Sequence, residues 1–188
     1  GGFRETGPEG AALEQRCVEV ARSYGIRLVG PNCVGLINTH LPLDTTFLQP
    51  PLPPTGEIAF LSHSGAICAA VIDWVRGQGI GLSHLDSLGN QADLSESDFL
   101  QPVAEDPHTR VITLYLEGVH DGAQFVEKAR LAARLKPLVA LKVGRFEAGR
   151  RAAASHTGAL AGAEAAFDAA FARAGVLRAN TTEEMFQW

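Results

Sequence analysis

Residues 57–61, 82–88, 111–116 and 138–143 are short apolar runs, and each is followed by a stretch with helical periodicity: 65–76, 95–104, 121–135 and, beyond a glycine-rich loop, 162–174. No other feature constrains the fold as strongly. Strands separated by helices of this length cannot pair as hairpins, so the pattern predicts a parallel, doubly wound α/β sheet. Right-handed crossovers then place the carboxyl ends of the strands, and the loops that leave them, on one rim. A short strand at 176–178 and a helix start at Thr181, with Glu184 three residues on in a capping-box pattern, close the series.

The chain before this series reads differently. Residues 10–24 carry Ala11, Leu13, Val18, Val20 and Ala21 among glutamates and arginines, an amphipathic helix ended by Gly25. Residues 26–30 read as a short strand running into the turn Pro31-Asn32-Cys33-Val34-Gly35. One helix and one strand cannot make a domain, so residues 1–50 are expected to be the tail of a nucleotide-binding-like α/β domain. The stiff stretch Pro50-Pro51-Leu52-Pro53-Pro54-Thr55-Gly56 continues neither helix nor sheet, which makes 51–56 a linker and 57–188 a second domain.

With 188 residues, 46% of them hydrophobic and 20% charged, the chain can bury a real core and is far from a disordered composition. A net charge of -5 and the lack of any basic run argue against a nucleic-acid partner. No apolar stretch reaches the roughly 18 residues of a membrane span. Cys17, Cys33 and Cys68 lack C-x-x-C spacing and suggest neither a disulfide framework nor a zinc site, so no bound metal is expected and a reducing cytoplasm fits. The first residues, Gly1-Gly2-Phe3-Arg4-Glu5, include neither a methionine nor a signal-peptide pattern, and the chain reads as a piece of a longer one.

Four loops leave the predicted rim. Ser155-His156-Thr157-Gly158 lies among small residues before a predicted helix, where the backbone can approach a ligand and free N–H groups attract an anion. His156 can there bind a phosphate or carry it covalently; the plain alternative is a capped helix start with an exposed histidine. Ser62-His63-Ser64-Gly65-Ala66 offers a second anion site, or simply an N-cap. In Ser87-Leu88-Gly89-Asn90-Gln91-Ala92-Asp93 the Gly and Asn suit a tight turn, with Asp93 or Ser95 capping the next helix. Glu117 places a carboxylate directly after an apolar strand, suited to fixing the tautomer of His156; otherwise it is a surface carboxylate paired with Arg145 or Arg151. His40, His63, His84, His108 and His120 read as solvated or loop residues, and Cys33 as a small, half-buried thiol.

These segments, in the order Gly30-Pro31-Asn32-Cys33, Ser62-His63-Ser64-Gly65, Ser87-Leu88-Gly89-Asn90, Tyr115-Leu116-Glu117-Gly118 and Ser155-His156-Thr157-Gly158, resemble the nucleoside-diphosphate-forming acyl-CoA synthetases. That family includes ADP-forming acetyl-CoA synthetase and, more distantly, the alpha subunit of succinyl-CoA synthetase. The resemblance covers essentially the whole chain and is most specific from Lys142 to Gly162. It implies that residues 1–50 end a Rossmann-like CoA-binding domain and that 57–188 form a flavodoxin-like ligase domain. It further implies an acyl phosphate intermediate, phosphoryl transfer to His156, and onward transfer to ADP or GDP, bound with magnesium on an ATP-grasp domain or subunit outside this chain.

In the same resemblance Glu117 holds His156, while Ser62, Ser64, Gly65, Ala66, Thr157 and Gly158 surround the phosphate. Pro31, Asn32, Cys33, Gly89 and Asn90 lie near the CoA thioester, and His63 stands where the family is expected to have glutamine. CoA, a small carboxylic acid and an oligomeric assembly are the implied partners, and residues 1–188 alone are expected to catalyse no net synthesis. Two other classes compete. One is a regulatory, acyl-CoA-sensing portion of a protein lysine acetyltransferase, against which the retained His156 argues. The other is an FMN-binding flavodoxin-like module, for which the 62–66 turn has too few hydroxyl groups.

Overall fold

A computed structural model describes residues 1–143 and 164–187. Its sheet is built from β1 (Leu36–Asn38), β2 (Leu43–Asp44), β3 (Thr55–Ser62), β4 (Leu82–Ser87), β5 (Val111–Leu116), β6 (Leu138–Lys142) and β7 (Leu177–Ala179). The helices are α1 (Pro8–Ser23), α2 (Gly65–Gln78), α3 (Glu96–Glu105), α4 (Gly122–Ala133), α5 (Glu164–Ala174) and α6 (Thr182–Gln187).

The strands lie in the order β2-β1-β4-β3-β5-β6-β7. From β4 to β7 every neighbouring pair is parallel, which is the predicted doubly wound arrangement in the flavodoxin-like order. Alternation along the strands sends side chains to opposite layers. Leu61, Ile112, Leu114 and Ala140 meet α3, α4 and α5 through Leu100, Phe125 and Phe171. Phe60, Leu85, Val139 and Leu141 meet α2 and α6 through Val71, Val75 and Met185. The central strands are covered on both faces, which is why they read in sequence as nearly continuous apolar runs.

The N-terminal part departs from expectation in two ways. Residues 26–30 form no strand. The carbonyls of Leu28, Gly30 and Pro31 accept from the N–H groups of Leu94, Ala92 and Asn90, but Leu28 N–H donates to the Asp93 carboxylate at 2.9 Å, so no reciprocal ladder closes. Conversely, β1 and β2 were not foreseen. β1 pairs antiparallel with β4 (Leu36 opposite Asp86, Asn38 opposite His84), so chain preceding the proline-rich stretch edges the same sheet. β3 also starts at Thr55, inside the stretch expected to be linker. None of the described helices is long and apolar enough to cross a membrane.

Candidate active site

The chain runs from β3 to β4 on one side and then returns to β5 on the other, so the carboxyl ends of β3 and β5 flank a topological switch point. Open α/β sheets bind ligands in the crevice at such points. Here the two strand ends are bonded together: His63 N–H donates to the Tyr115 carbonyl at 3.1 Å, and Glu117 N–H donates to His63 Nδ1 at 3.2 Å. A cleft of about 410 Å³ opens beside them. It is lined by Asn32, Cys33 and Val34, by Phe47, by His63 to Ala66, by Gly89 and Asn90, and by Glu117.

The amino end of α2 forms one wall. Its cap residue Ser64 makes no side-chain capping bond, and the first turn contains no acidic residue. The first intrahelical bond runs from Cys68 N–H to the Ser64 carbonyl, so the N–H groups of Gly65, Ala66 and Ile67 have no partner within the helix. The starts of α3 and α4 are closed instead. Asp98 accepts from Ser95 N–H at 2.9 Å, and Asp121 accepts from Gln124 N–H at 2.9 Å. The open, positive end of α2 is therefore the one that meets the cleft, where it suits an anion. Close packing keeps the wall small: a Cβ on Gly65 would lie 2.8 Å from Val34 Cγ1.

Glu117 also lines the cleft. Its Oε2 is buried and has no hydrogen-bond partner among the described residues. Burial, and then the Glu117 charge, push the neighbouring Tyr115 hydroxyl upward from its ordinary value, so this phenol stays neutral beside the site. Lys142, at the carboxyl end of β6, is buried with its ammonium 4.9 Å from the centre of the Phe167 ring, and burial pulls its pKa down.

The cleft thus brings together Asn32, Cys33, Ser64, Gly65, Ala66, Gly89, Asn90 and Glu117 of the residues expected at a site. Pro31 stands behind them, its carbonyl accepting from Asn90 N–H at 2.8 Å. Ser62 is fully buried, and its hydroxyl donates to the Ser64 carbonyl and accepts from Ser64 N–H, both at 3.0 Å, so it braces the turn from behind the cleft wall. Asn90 has both amide hydrogens engaged, with Glu5 and Glu14 at 2.7 Å each. Burial pulls the Glu5 carboxyl up, but the bonds from Asn90 and nearby N–H groups outweigh it and hold Glu5 at about 2. His156, Thr157 and Gly158 lie outside the described residues, as do Arg145 and Arg151.

Two expectations about histidine change. His63 is not solvated: it is 6% exposed and faces buried Glu96 on α3 at 3.3 Å. His84, read as solvated or in a loop although it falls in the strand-like run 82–88, lies on β4 with Nε2 2.6 Å from Asp106. The Ser-x-Ser-Gly turn was a signal that could have placed His63 in the cleft. Nothing in the sequence marks Glu96 as buried, because an acidic residue in a first helical turn ordinarily sits in solvent against the dipole.

A family model described as "Succinyl-CoA ligase like flavodoxin domain" matches residues 55–188. The chain belongs to that family. The ligase-like domain is accompanied by similarity over residues 1–54 as well. The chain is 50% identical over 187 residues to Acetate--CoA ligase [ADP-forming] I of Archaeoglobus fulgidus, covering 100% of this chain and 27% of the relative. It is 46% identical to Acetate--CoA ligase [ADP-forming] II subunit alpha of Pyrococcus furiosus, covering 98% of this chain and 40% of that subunit. Among solved structures, the dinucleotide-forming acetyl-coenzyme A synthetase 1 of Ca. Korarchaeum cryptofilum, in complex with phosphate and ADP, superposes with a TM-score of 0.93 at 40% identity over 100% of this chain and 40% of that one. The chain therefore spans between about a quarter and two-fifths of these relatives.

Proposed function

We propose that this chain is the phosphoryl-carrying part of an ADP-forming acyl-CoA ligase acting on a small carboxylic acid. The observation that supports it most directly is the open amino end of α2 in one cleft with Glu117 at the β3/β5 switch point. An anion held by the Gly65, Ala66 and Ile67 N–H groups shares the cleft with Glu117, the one carboxylate among the described lining residues, with the acyl-thioester side of the cleft formed by Asn32, Cys33, Gly89 and Asn90. The relatives named as ADP-forming acetate–CoA ligases support ligation over acyl-CoA sensing.

In the direction of ATP formation, phosphate attacks the acyl-CoA thioester and displaces CoA, giving an acyl phosphate. His156 Nε2 or Nδ1 then takes the phosphoryl group and releases the free acid, and the phosphohistidine passes the group to ADP. Glu117 accepts from the other ring N–H and so keeps the attacking nitrogen's lone pair free. The α2 dipole favours the phosphoryl charge without enclosing it, which suits a group that must leave again. Residues 1 to about 50 are taken as the end of the CoA-binding part, whose last strands, β1 and β2, edge the ligase sheet. The nucleotide with its magnesium sits on an ATP-grasp domain or subunit in an oligomeric enzyme. Three free thiols fit a reducing, cytoplasmic setting.

The complete enzyme incubated with ATP and magnesium labelled in the γ-phosphate is expected to take up acid-labile, alkali-stable label on His156, and His156→Ala to lose it. Equal labelling of the alanine variant would overturn the proposal.

A further inference from the structure

At the cleft wall, one imidazole stands between α3 and the Glu117 loop. His63 Nδ1 accepts Glu117 N–H at 3.2 Å, so this nitrogen holds a lone pair and the ring proton sits on Nε2. His63 Nε2 lies 3.3 Å from Glu96 Oε2, and the two residues are 6% and 1% exposed. Both atoms are buried and make no hydrogen bond among the described residues, so the 3.3 Å approach sets an unpaired ring nitrogen against an unpaired carboxylate oxygen. Glu96 is the first residue of α3, where a helix end accommodates a negative side chain.

We propose that Glu96 and His63 are a buried positioning pair that fixes the start of the Glu117 loop, and with it the direction in which the Glu117 carboxylate points. The proposal rests on the role assigned above to Glu117. Glu96 holds the ring by charge from 3.3 Å, the ring anchors the Glu117 backbone through Nδ1, and the Glu117 carboxylate is thereby held toward the cleft. Glu96 is not among the residues lining the cleft and acts through the ring. A glutamine at position 63 can reproduce both contacts, accepting through Oε1 and donating through Nε2, whereas alanine reproduces neither. The charged and titratable groups facing the ring are Glu96 from α3, Glu117 and His120 from the loop after β5, and Arg4 from the N-terminal turn, with Glu5 and Glu14 behind Asn90.

The test is single-turnover phosphorylation of the complete enzyme from ATP and magnesium for the native protein and for His63→Ala, His63→Leu, His63→Gln and Glu117→Gln. His63→Ala is expected to slow labelling about tenfold or more with unchanged KM for nucleotide, and His63→Gln to stay within about threefold of native at pH 7.5. Recovery by glutamine, which keeps an acceptor and a donor, but not by His63→Leu, which keeps only bulk, is a difference that a space-filling ring would not produce. A folded His63→Ala enzyme that labels at the native rate while Glu117→Gln is slow overturns the pair and leaves the role of Glu117 standing. If both variants label at the native rate, the role of Glu117 falls and the pair falls with it. If His63→Ala does not fold, His63→Gln decides: a folded glutamine variant that labels about tenfold or more slower than native overturns the proposal.

Discussion

Asp86 is 3% exposed on β4, with His84 Nδ1 3.9 Å from its carboxyl, and burial pushes its pKa up to about 8. The folded state therefore binds its proton more tightly than the unfolded chain, in which a carboxyl titrates near 4. Its contribution is fully present below about pH 4 and is lost progressively as pH rises toward about 8. Asp86→Asn keeps the shape and cannot ionise. Thermal melts should show the variant gaining on the native chain between pH 5 and pH 8, by an amount on the order of a few kcal/mol. A constant difference across that range would show that Asp86 does not titrate in the fold. This residue, like Glu96, was invisible in sequence for a physical reason: burial of a single carboxylate is decided by which strand or helix packs over it, and neither composition nor spacing carries that information. Glu117 and the Ser62 to Ala66 turn were legible because polar residues interrupt apolar periodicity at strand ends, where a parallel sheet gathers its loops.

The same contrast holds for elements. The run 111–116 coincides with β5, whose residues are covered on both faces, while residues 26–30, where Ile26 and Arg27 are exposed, form no strand because Asp93 takes the Leu28 N–H that a neighbouring strand would need. A short apolar run does not by itself say whether the segment finds a neighbouring strand to pair with. Gly89 is what lets these two irregular segments meet. Its φ is +55°, and a Cβ there would fall 2.3 Å from the Pro31 carbonyl and 2.7 Å from that of Asn32. Backbone, not a flexible side chain, blocks the added atom, so Gly89→Ala must push the 30–33 turn away as well as strain φ. It is expected to cost about 1–3 kcal/mol in a denaturant melt and to speed proteolytic nicking within 26–35. Native-like nicking would mean that the turn and the loop are coupled elsewhere.

At the scale of the whole chain, the N-terminal segment and the parallel sheet are tied through Asp93. Its side chain is 1% exposed and receives Arg22 and Arg27, each at 2.8 Å, together with the Leu28 N–H at 2.9 Å. Arg27 first, then the Leu28 N–H, hold its carboxyl well below the usual carboxylate range. The sign is opposite to that of Asp86. A depressed carboxylate stabilises the fold fully above its unfolded value near 4, and that stability is lost as pH falls below it. Asp93→Asn, which keeps the size but neither the charge nor the second acceptor oxygen, should be less stable than native at pH 7 by on the order of 1–3 kcal/mol. The gap should narrow as pH drops below 4, where the carboxyl of the unfolded chain takes up its proton while the folded one still holds its charge. Because one buried acid loses stability on the alkaline side and this bridging acid loses it on the acid side, the native chain should melt highest in the mildly acidic interval between them. Melting the native chain, Asp86→Asn and Asp93→Asn from pH 3 to pH 8 checks all three slopes at once. An Asp93→Asn deficit independent of pH would show that its bonds to the arginines contribute through geometry alone and not through charge.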